Sequence, residues 1–163
     1  MATIDPHIAE IEEWQAAVGK AIVSFAELEL ITYKCLAHIP ADQIAETASR
    51  LQFSRRVDLI VEILEGRSPL PQAVSEFVAM LKRAKELAQT RNDIAHNPVM
   101  LNVFVHRVTG DVLLEHSIAA ARGNRFIDIS SAKEFAAEVE DLAASMWLQI
   151  GKVAESASPG WRN

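Results

Sequence analysis

The stretch PQAVSEFVAMLKRAKELAQTRNDIAH, residues 71–96, is the most informative part of this sequence. Its apolar side chains recur at steps of three and four, which is the spacing of one face of an α-helix. Pro98 prevents a clean continuation of that helix. The stretch therefore predicts a helix from about Pro71 to His96, with these residues facing inward: Val74, Phe77, Val78, Leu81, Ala84 and Ala88.

Two further helical segments precede this stretch. The first is predicted over 6–38, and its apolar stripe includes Ile11, Trp14, Val18, Ile22, Phe25, Leu28, Thr32 and Leu36. The second is predicted over 41–65, with a break near Ser49. Gly66 is suited to its C-terminal cap.

The pattern changes after Pro98. β-branched residues on either side of Thr109-Gly110-Asp111 predict a β-hairpin over roughly 100–107 and 112–118. Residues 126–129 are predicted to form one more short strand. Ser131 and Glu134 have the spacing of a capping box, which predicts a last helix to about Ala154.

The resulting prediction is a mainly α fold: a bundle of four main helices with a β-hairpin inserted between the third and the last. The length of 163 residues suits one domain. We place this domain at 1–157 and predict a flexible tail at 158–163.

Composition excludes several classes of protein. No apolar run reaches the roughly 18 residues of a membrane span, so no membrane association is expected. Cys35 is the only cysteine, which rules out a disulfide framework within the chain and fits a cytoplasmic location. The formal net charge of −6 argues against a protein that coats nucleic acid nonspecifically.

The charge is unevenly distributed along the chain. Residues 1–49 hold eight acids and two bases, whereas residues 50–96 hold six acids and eight bases. The basic residues of this middle third are either a local anion-binding face or solvated helix faces, and the second is the commoner situation. They include Arg50, Arg55, Arg56, Lys82, Arg83, Lys85 and Arg91.

The end of the third helix carries the residues with chemical potential. At about 100° per residue and with Leu81 at the centre of the buried face, Asn92 lies about 20° from centre. Measured from the same centre, Arg91 lies about 80° to one side and His96 about 60° to the other. Packing alone does not explain an Asn on a core-facing stripe, because burial of an amide is unfavourable without hydrogen-bond partners. The alternative is an ordinary helix C-terminus, where the helix dipole favours Arg and His.

The run Arg91-Asn92-Asp93-Ile94-Ala95-His96-Asn97 resembles the Arg-x4-6-His motif of the HEPN superfamily, the higher eukaryote and prokaryote nucleotide-binding domains. A polar residue usually follows the Arg in that family, as Asn92 does here. The segment from Trp14 to Leu36 is similar to the first long helix of many bacterial members. The resemblance covers most of residues 10–97 and implies a HEPN-like four-helix bundle. The hairpin at 100–118 is not a general family feature.

The resemblance implies a metal-independent endoribonuclease without a cofactor, in which a ribose 2′-hydroxyl attacks the adjacent phosphodiester. His96 would serve as the acid or base, since imidazole exchanges protons near neutral pH. Arg91 would hold and stabilise the phosphate, and Asn92 would orient one of these two groups. The RNA substrate would be the principal partner.

Two acidic residues are candidates for a supporting role. Glu29 lies about 40° from Phe25 on the apolar stripe of the first helix and needs a partner there. Arg91 or His96 is one candidate for that partner. The alternative is that Glu29 meets Lys34 or another base, or that its carboxylate reaches solvent at the edge of the bundle. Asp93 points about 120° from the buried face, which favours solvent over a shared dimer cleft.

The resemblance also implies a homodimer with the motifs facing each other across the interface. It suggests a toxin or defence effector, with an antitoxin or regulatory protein as a partner. Some toxin members carry Arg-x4-His-x-Tyr, and Pro98 departs from that form. The competing interpretations are a non-catalytic HEPN module that binds a nucleotide, an RNA or a protein, and a helical bundle for oligomerisation that retains the motif as a relic.

Other chemistries find little support in the sequence. His106 and His116 lie on the two arms of the predicted hairpin, but two histidines without a third ligand make a poor metal site. No Glu-x-x-His occurs, which excludes the four-helix di-iron pattern. Cys35 is predicted to be a packed thiol. We therefore expect no metal and no cofactor.

Overall fold

The computed structural model describes residues 6–38, 42–66, 70–119 and 125–157. The fold is mainly α, as predicted, with a small antiparallel sheet between the fourth and fifth helices of these residues. The elements are α1 (Pro6–His38), α2 (Asp42–Ser49), α3 (Phe53–Glu65), α4 (Gln72–His96), β1 (Val99–Val105), β2 (Val112–Ala119), β3 (Phe126–Ile127) and α5 (Ile129–Ala157).

The helix boundaries follow from local chemistry. α2 ends at Ser49, which confirms the predicted break, and α3 begins after Gln52, whose carbonyl accepts the first bond of the new helix from Arg56 N at 3.0 Å. Gly66 closes α3 by donating its N–H to the Glu62 carbonyl at 3.0 Å. Pro71 precedes α4, where its fixed φ suits a helix start and its missing N–H costs nothing.

α5 begins three residues earlier than predicted, because Asp128 caps it in place of Ser131. The Asp128 carboxylate accepts a hydrogen bond from the Ser131 N–H at 2.7 Å, which satisfies one of the free donors of the first turn. These bonds from Ser131 hold the pKa of Asp128 below its usual range. The prediction of a capping box at Ser131 was therefore wrong. Phe126 and Ile127 form β3, shorter than the predicted strand.

The sheet has the order β1-β2-β3, so β1 is an edge strand among the described residues. Val99 pairs with Ile118 and Val105 with Val112, and this register continues from β1 to the turn. Within the described residues, β3 pairs with β2 at Ile118 and Ala119. Gly110 occupies the turn at a φ of 76°, a conformation that glycine adopts without a steric penalty.

The hairpin is apolar on both faces and largely solvent-exposed. Met100, Phe104 and Leu113 lie on one face, while Leu101, Val103 and Leu114 lie on the other. We call its exposed apolar residues the hairpin patch: Met100, Leu101, Val103, Phe104, Val105, Val108, Val112, Leu113 and Leu114.

Contacts divide the chain into two compact units. The helical unit comprises Ser24–Gln89 and Glu138–Asn163. Its core includes an edge-to-face pair, Phe25 and Phe53, with ring centroids 5.0 Å apart. Other fully buried residues of this unit are Leu28, Ile31, Val57, Ile60, Val74, Phe77, Leu81, Val139 and Met146.

The sheet unit comprises Met1–Val23 and Thr90–Ala137. Its buried residues include Trp14, Ala21, Ile94, Ile118, Ile127 and Phe135. The assignment of 1–157 to one domain stays a prediction, and the predicted tail at 158–163 lies outside the described residues. No helix within the described residues is both long and apolar enough to cross a bilayer.

Candidate active site at the end of α4

α4 stops at the end of the Arg-x4-His run, and the next two residues account for this. The Asn97 side chain donates a hydrogen bond to the Asp93 carbonyl at 2.8 Å, which satisfies one of the last carbonyls of the helix. Pro98 has no N–H with which to extend the helical bonding. His96 is consequently the final helical residue, and it is exposed.

Arg91 and Asn92 are joined by a side-chain hydrogen bond. The half-buried Arg91 donates from Nη1 to the Asn92 Oδ1 at 3.0 Å. The predicted orienting role of Asn92 requires such a contact. The bond holds one edge of the guanidinium in a fixed direction, because its three nitrogens and the central carbon lie in one plane.

Asn92, Ala95 and His96 form an accessible face of the last turn. All three are exposed, and residues three and four apart are neighbours on a helix surface. Ala95 adds only a methyl group between the two polar side chains. A ligand can therefore approach Asn92 and His96 together from solvent.

The helical-wheel positions predicted for Asn92 and Asp93 were wrong. Asn92 was expected near the centre of the buried face and is exposed, whereas Asp93 was expected in solvent and is only 8% exposed. Ile94, about 140° from Leu81, is buried instead. The buried face has thus moved around the helix, because from Thr90 onward α4 belongs to the sheet unit and has different neighbours from Leu81.

A second arginine joins the motif. Arg125, immediately before β3, places Nη1 3.5 Å from the Asp93 Oδ2 and Nη2 3.4 Å from the Thr90 Oγ1. About half of the Arg125 side chain remains exposed. Asp93 therefore has a structural partner, which gives it a role in positioning Arg125. We call Arg91, Asn92, Asp93, His96 and Arg125 the motif cluster.

Sequence reasoning missed Arg125. It lies 34 residues after Arg91 in the chain and belongs to no local motif. The contact forms in the folded chain, where Arg125 stands immediately before β3 and β3 pairs with β2. An arginine next to a two-residue strand has no periodic pattern that would have indicated this contact.

Glu29 lies beside a buried arginine. Its Oε2 is 4.0 Å from the Nη2 of Arg56, and its side chain is about one-third exposed. This contact corresponds to the alternative in which Glu29 meets another base. A pairing of Glu29 with Arg91 or His96 stays a prediction.

Arg56 itself is held on several sides within the helical unit. Its Nε donates to the Thr32 Oγ1 at 3.2 Å, and its Nη1 donates to the Leu51 carbonyl at 2.5 Å. The guanidinium carbon lies 4.1 Å from the centroid of the Tyr33 ring, a cation–π distance. Arg56 is therefore a structural residue and not part of an anion-binding face.

Most of the other basic residues of the middle third also form ion pairs. Lys82 lies 2.7 Å from Glu65 and Lys85 2.5 Å from Asp58. Arg83 bonds both Glu86 and Glu138, and these bonds raise its pKa. The acidic partners neutralise the local charge, so the geometry agrees with the alternative of solvated helix faces.

The remaining candidates lie apart from the motif cluster. His106, at the turn, accepts from the Thr109 N–H at 3.2 Å, whereas His116 contacts Glu10 at 2.7 Å near the base of the hairpin. The register does not oppose the two histidines. Among the described residues, no group of three His, Cys, Asp or Glu side chains could hold a metal ion. Cys35 is packed as predicted, and burial raises its pKa to about 12.

Comparison of the chain with family models, with curated proteins and with solved structures gives no match. The motif cluster and the resemblance of its residues are therefore the features of this chain that indicate a function.

Proposed function

We propose that this protein is a metal-independent endoribonuclease of the HEPN type. The observation that carries the proposal is the Arg91–Asn92 hydrogen bond, which lies about one helical turn before an exposed His96. An oriented guanidinium and an accessible imidazole are the two groups that cleavage of RNA by its own 2′-hydroxyl requires. The proposal includes a HEPN-like four-helix bundle as the fold.

In the proposed reaction, a general base removes the proton of the ribose 2′-hydroxyl, and the 2′-oxygen attacks the adjacent phosphorus. The bond from phosphorus to the 5′-oxygen breaks, and that oxygen takes up a proton. The products are a 2′,3′-cyclic phosphate and a 5′-hydroxyl. His96 exchanges the proton, while Arg91 donates hydrogen bonds to the phosphate oxygens as negative charge grows on them.

Asn92 and Arg125 support this arrangement in different ways. Asn92 is a positioning residue for Arg91, and it lies one turn before His96. Arg125 adds a second positive charge, which Asp93 holds at the end of α4. A single-stranded RNA would thus meet two arginines on a chain that is otherwise acidic.

The biological setting belongs to the same proposal. A toxin or defence effector in the cytoplasm must be restrained, which fits an antitoxin or regulatory protein as a partner. The acidic first third of the chain offers charge for such a protein contact. A homodimer is also part of the proposal.

The test is cleavage of single-stranded RNA by the purified protein in EDTA, beside variants of the motif. We expect Arg91→Ala and His96→Ala each to lower the rate about 100-fold or more, the usual effect of removing an acid–base group or a charge-stabilising donor. Asn92→Ala should lower it about tenfold, since Arg91 remains but is no longer oriented. The cleaved ends should be 2′,3′-cyclic phosphates.

Two exposed residues outside the motif cluster serve as matched controls: Arg55→Ala and His106→Ala should retain full activity. Cleavage that survives in His96→Ala would contradict the proposed roles. If none of the folded proteins cleaves RNA, the non-catalytic binding module becomes the better interpretation, and RNA or nucleotide binding by the same variants is the next measurement.

A further inference from the structure

The hairpin patch is unusual for the surface of a soluble protein. Apolar side chains on both faces of β1 and β2 are about half exposed or more, and the valine of the turn, Val108, is 89% exposed. Contiguous exposed apolar patches above a few hundred Å² mark contact sites on most proteins. The patch also surrounds an edge strand, and edges are normally protected by charges, prolines or bulges. β1 has none of these between Val99 and Val105.

The hydrogen bonds at the turn show which way the backbone of β1 points. The His106 N–H donates to the Asp111 carbonyl at 2.8 Å, and these two residues continue the register of the hairpin. Directly opposed residues in an antiparallel pair alternate between bonded and non-bonded pairs. Because the His106 pair is bonded, the next pair along β1 is non-bonded, and so is every second pair after it. The residues of β1 in non-bonded pairs direct their N–H and C=O groups to the outer edge, and they are Val105, Val103, Leu101 and Val99.

We propose that this edge binds the same edge of a second copy of the chain, in an antiparallel pairing about a two-fold axis at Asn102. Leu101 then lies opposite Val103 of the second copy, and Val99 lies opposite Val105. All of these residues are among the four with outward backbone groups. Four bonded pairs would form, with about eight hydrogen bonds in total.

The side chains of β1 are compatible with this symmetry. Met100 would lie opposite Phe104 of the second copy on one face, and the opposed pairs on the other face are aliphatic. The strand carries no charge, so two copies with a net charge of −6 each place no like charges opposite one another. A strand with acidic or basic residues would favour a partner of opposite charge. β1 is uncharged and mostly apolar, so it favours a strand with the same apolar pattern.

A cavity in the sheet unit supplies a place for the tip of the partner hairpin. It has a volume of about 400 Å³ and lies between α1 and the base of the hairpin. Its apolar wall is formed by Ile11, Trp14, Val18 and Val99. Because Val105 of the second copy would pair with Val99, the exposed valines at the end of that hairpin would lie next to this wall.

The cavity contact matters for the size of the interface. Pairing of two strands by itself covers little of each copy, whereas stable dimers commonly bury roughly 800 Å² per partner. Burial of both hairpin tips against α1 extends the interface in two symmetric places. The pairing puts the two Val99 residues on opposite sides of the axis, about 20 Å apart at roughly 3.4 Å per residue. The two motif clusters therefore do not face each other, in contrast to the dimer that the resemblance implies.

The experiment measures oligomeric state by analytical ultracentrifugation in a concentration series, with two matched proline variants. Val103 and Leu114 are directly opposed on the same face of the hairpin and form a non-bonded pair, so proline at either position removes no bond between β1 and β2. They are similarly exposed, at 60% and 58%. Only Val103→Pro changes the outer edge of β1.

We expect a dimer for the unmodified protein and for Leu114→Pro. Val103→Pro should raise the dissociation constant at least about tenfold, because each copy loses an edge donor. In the unmodified protein, the amide protons of Leu101 and Val103 should exchange slowly at high concentration and rapidly after dilution. This second measurement does not depend on a variant that folds.

The proposal would be overturned by a monomeric unmodified protein or by a dimer that Val103→Pro leaves unchanged. Equal dissociation by both prolines would also overturn it, because that result would indicate packing of the hairpin faces. Fast exchange of both amides in a dimer would do the same. None of these results depends on RNA cleavage, so the dimer and the ribonuclease can fail separately.

Discussion

At the residue scale, the molecule shows how two adjacent residues of one type can have unrelated roles. Arg55 is exposed on α3, whereas Arg56 is 3% exposed and bonded to Thr32 and Leu51. A buried guanidinium is stable only where its donors have acceptors and its charge has a partner. The carbonyl of Leu51, next to the break between α2 and α3, is one of those acceptors. Arg56 therefore fixes the geometry of that break.

Replacement of Arg56 by alanine should lower the free energy of unfolding by about 3 kcal/mol, because it leaves a void and removes the bonds to Thr32 and Leu51. Urea denaturation followed by circular dichroism measures the change. The neighbouring variant Arg55→Ala is the control, with an expected change within about 0.5 kcal/mol. Equal stability of the two variants would show that the buried contacts of Arg56 contribute nothing.

The motif cluster illustrates the same dependence on surroundings. Arg91 and Asn92 are consecutive in sequence and bond to each other, so their partnership is local. The role of Asp93 depends on its ion pair with Arg125, a residue far along the chain. The first contact was open to prediction from sequence, and the second was not.

At the scale of the elements, the helix ends determine where the functional residues lie. Asn97 and Pro98 end α4 so that His96 is exposed on its last turn. Asp128 starts α5 directly after β3, which keeps Arg125 close to the same point of α4.

The Asp128 cap makes a prediction about stability and pH. Asp128→Ala should lower the free energy of unfolding by about 1 kcal/mol at neutral pH, the usual value of a helix N-cap. Because the folded state holds the pKa of Asp128 below its usual value, the carboxylate stabilises the fold above the unfolded pKa of about 3.9. That contribution is lost as the pH falls further, through the folded pKa.

Denaturation curves of the unmodified protein and Asp128→Ala at several pH values test this directly. Their difference in stability should be constant from pH 7 to about 5 and should shrink below about pH 4. Ser130→Ala, an exposed change in the same turn, is the control and should cost little at any pH. A difference that grows in acid would contradict the capping role of the carboxylate.

At the scale of the whole molecule, the distribution of charge restricts how nucleic acid can bind. The net charge is −6, and ion pairs with acidic residues neutralise many of the basic side chains of α3 and α4. RNA would therefore meet favourable charge at the motif cluster, which holds Arg91 and Arg125, and repulsion over much of the remaining surface.

This arrangement predicts a weak dependence of RNA binding on salt. The His96→Ala variant, which should not cleave, allows binding of single-stranded RNA to be measured by fluorescence anisotropy. With two phosphates neutralised, the logarithm of the binding constant should fall with the logarithm of salt concentration at a slope of about −1.4.

A further change of Arg125 to Gln should make that slope shallower by about 0.7, whereas Arg55→Gln should not change it. A slope steeper than about −4 would indicate a broad basic surface instead of a local site. An unchanged slope in the Arg125 variant would remove this residue from the RNA contact.

The sequence by itself determined the elements that depend on short-range chemistry. Periodic apolar residues predicted α1 and α4, the Gly110 turn predicted the hairpin, and Asn97-Pro98 fixed the end of the motif helix. These features follow from neighbours within a few residues, where helix periodicity and turn preferences act.

The tertiary structure decided which faces are buried and which distant residues meet. The buried side of α4 changes near Thr90 because the helix passes from one compact unit into the other, and a single helical wheel cannot represent two sets of neighbours. The contacts of Arg125 with Asp93 and of Arg56 with Thr32 depend on chain segments far apart in sequence. Burial and ion pairing are properties of the folded surroundings, and therefore only the folded chain could specify them.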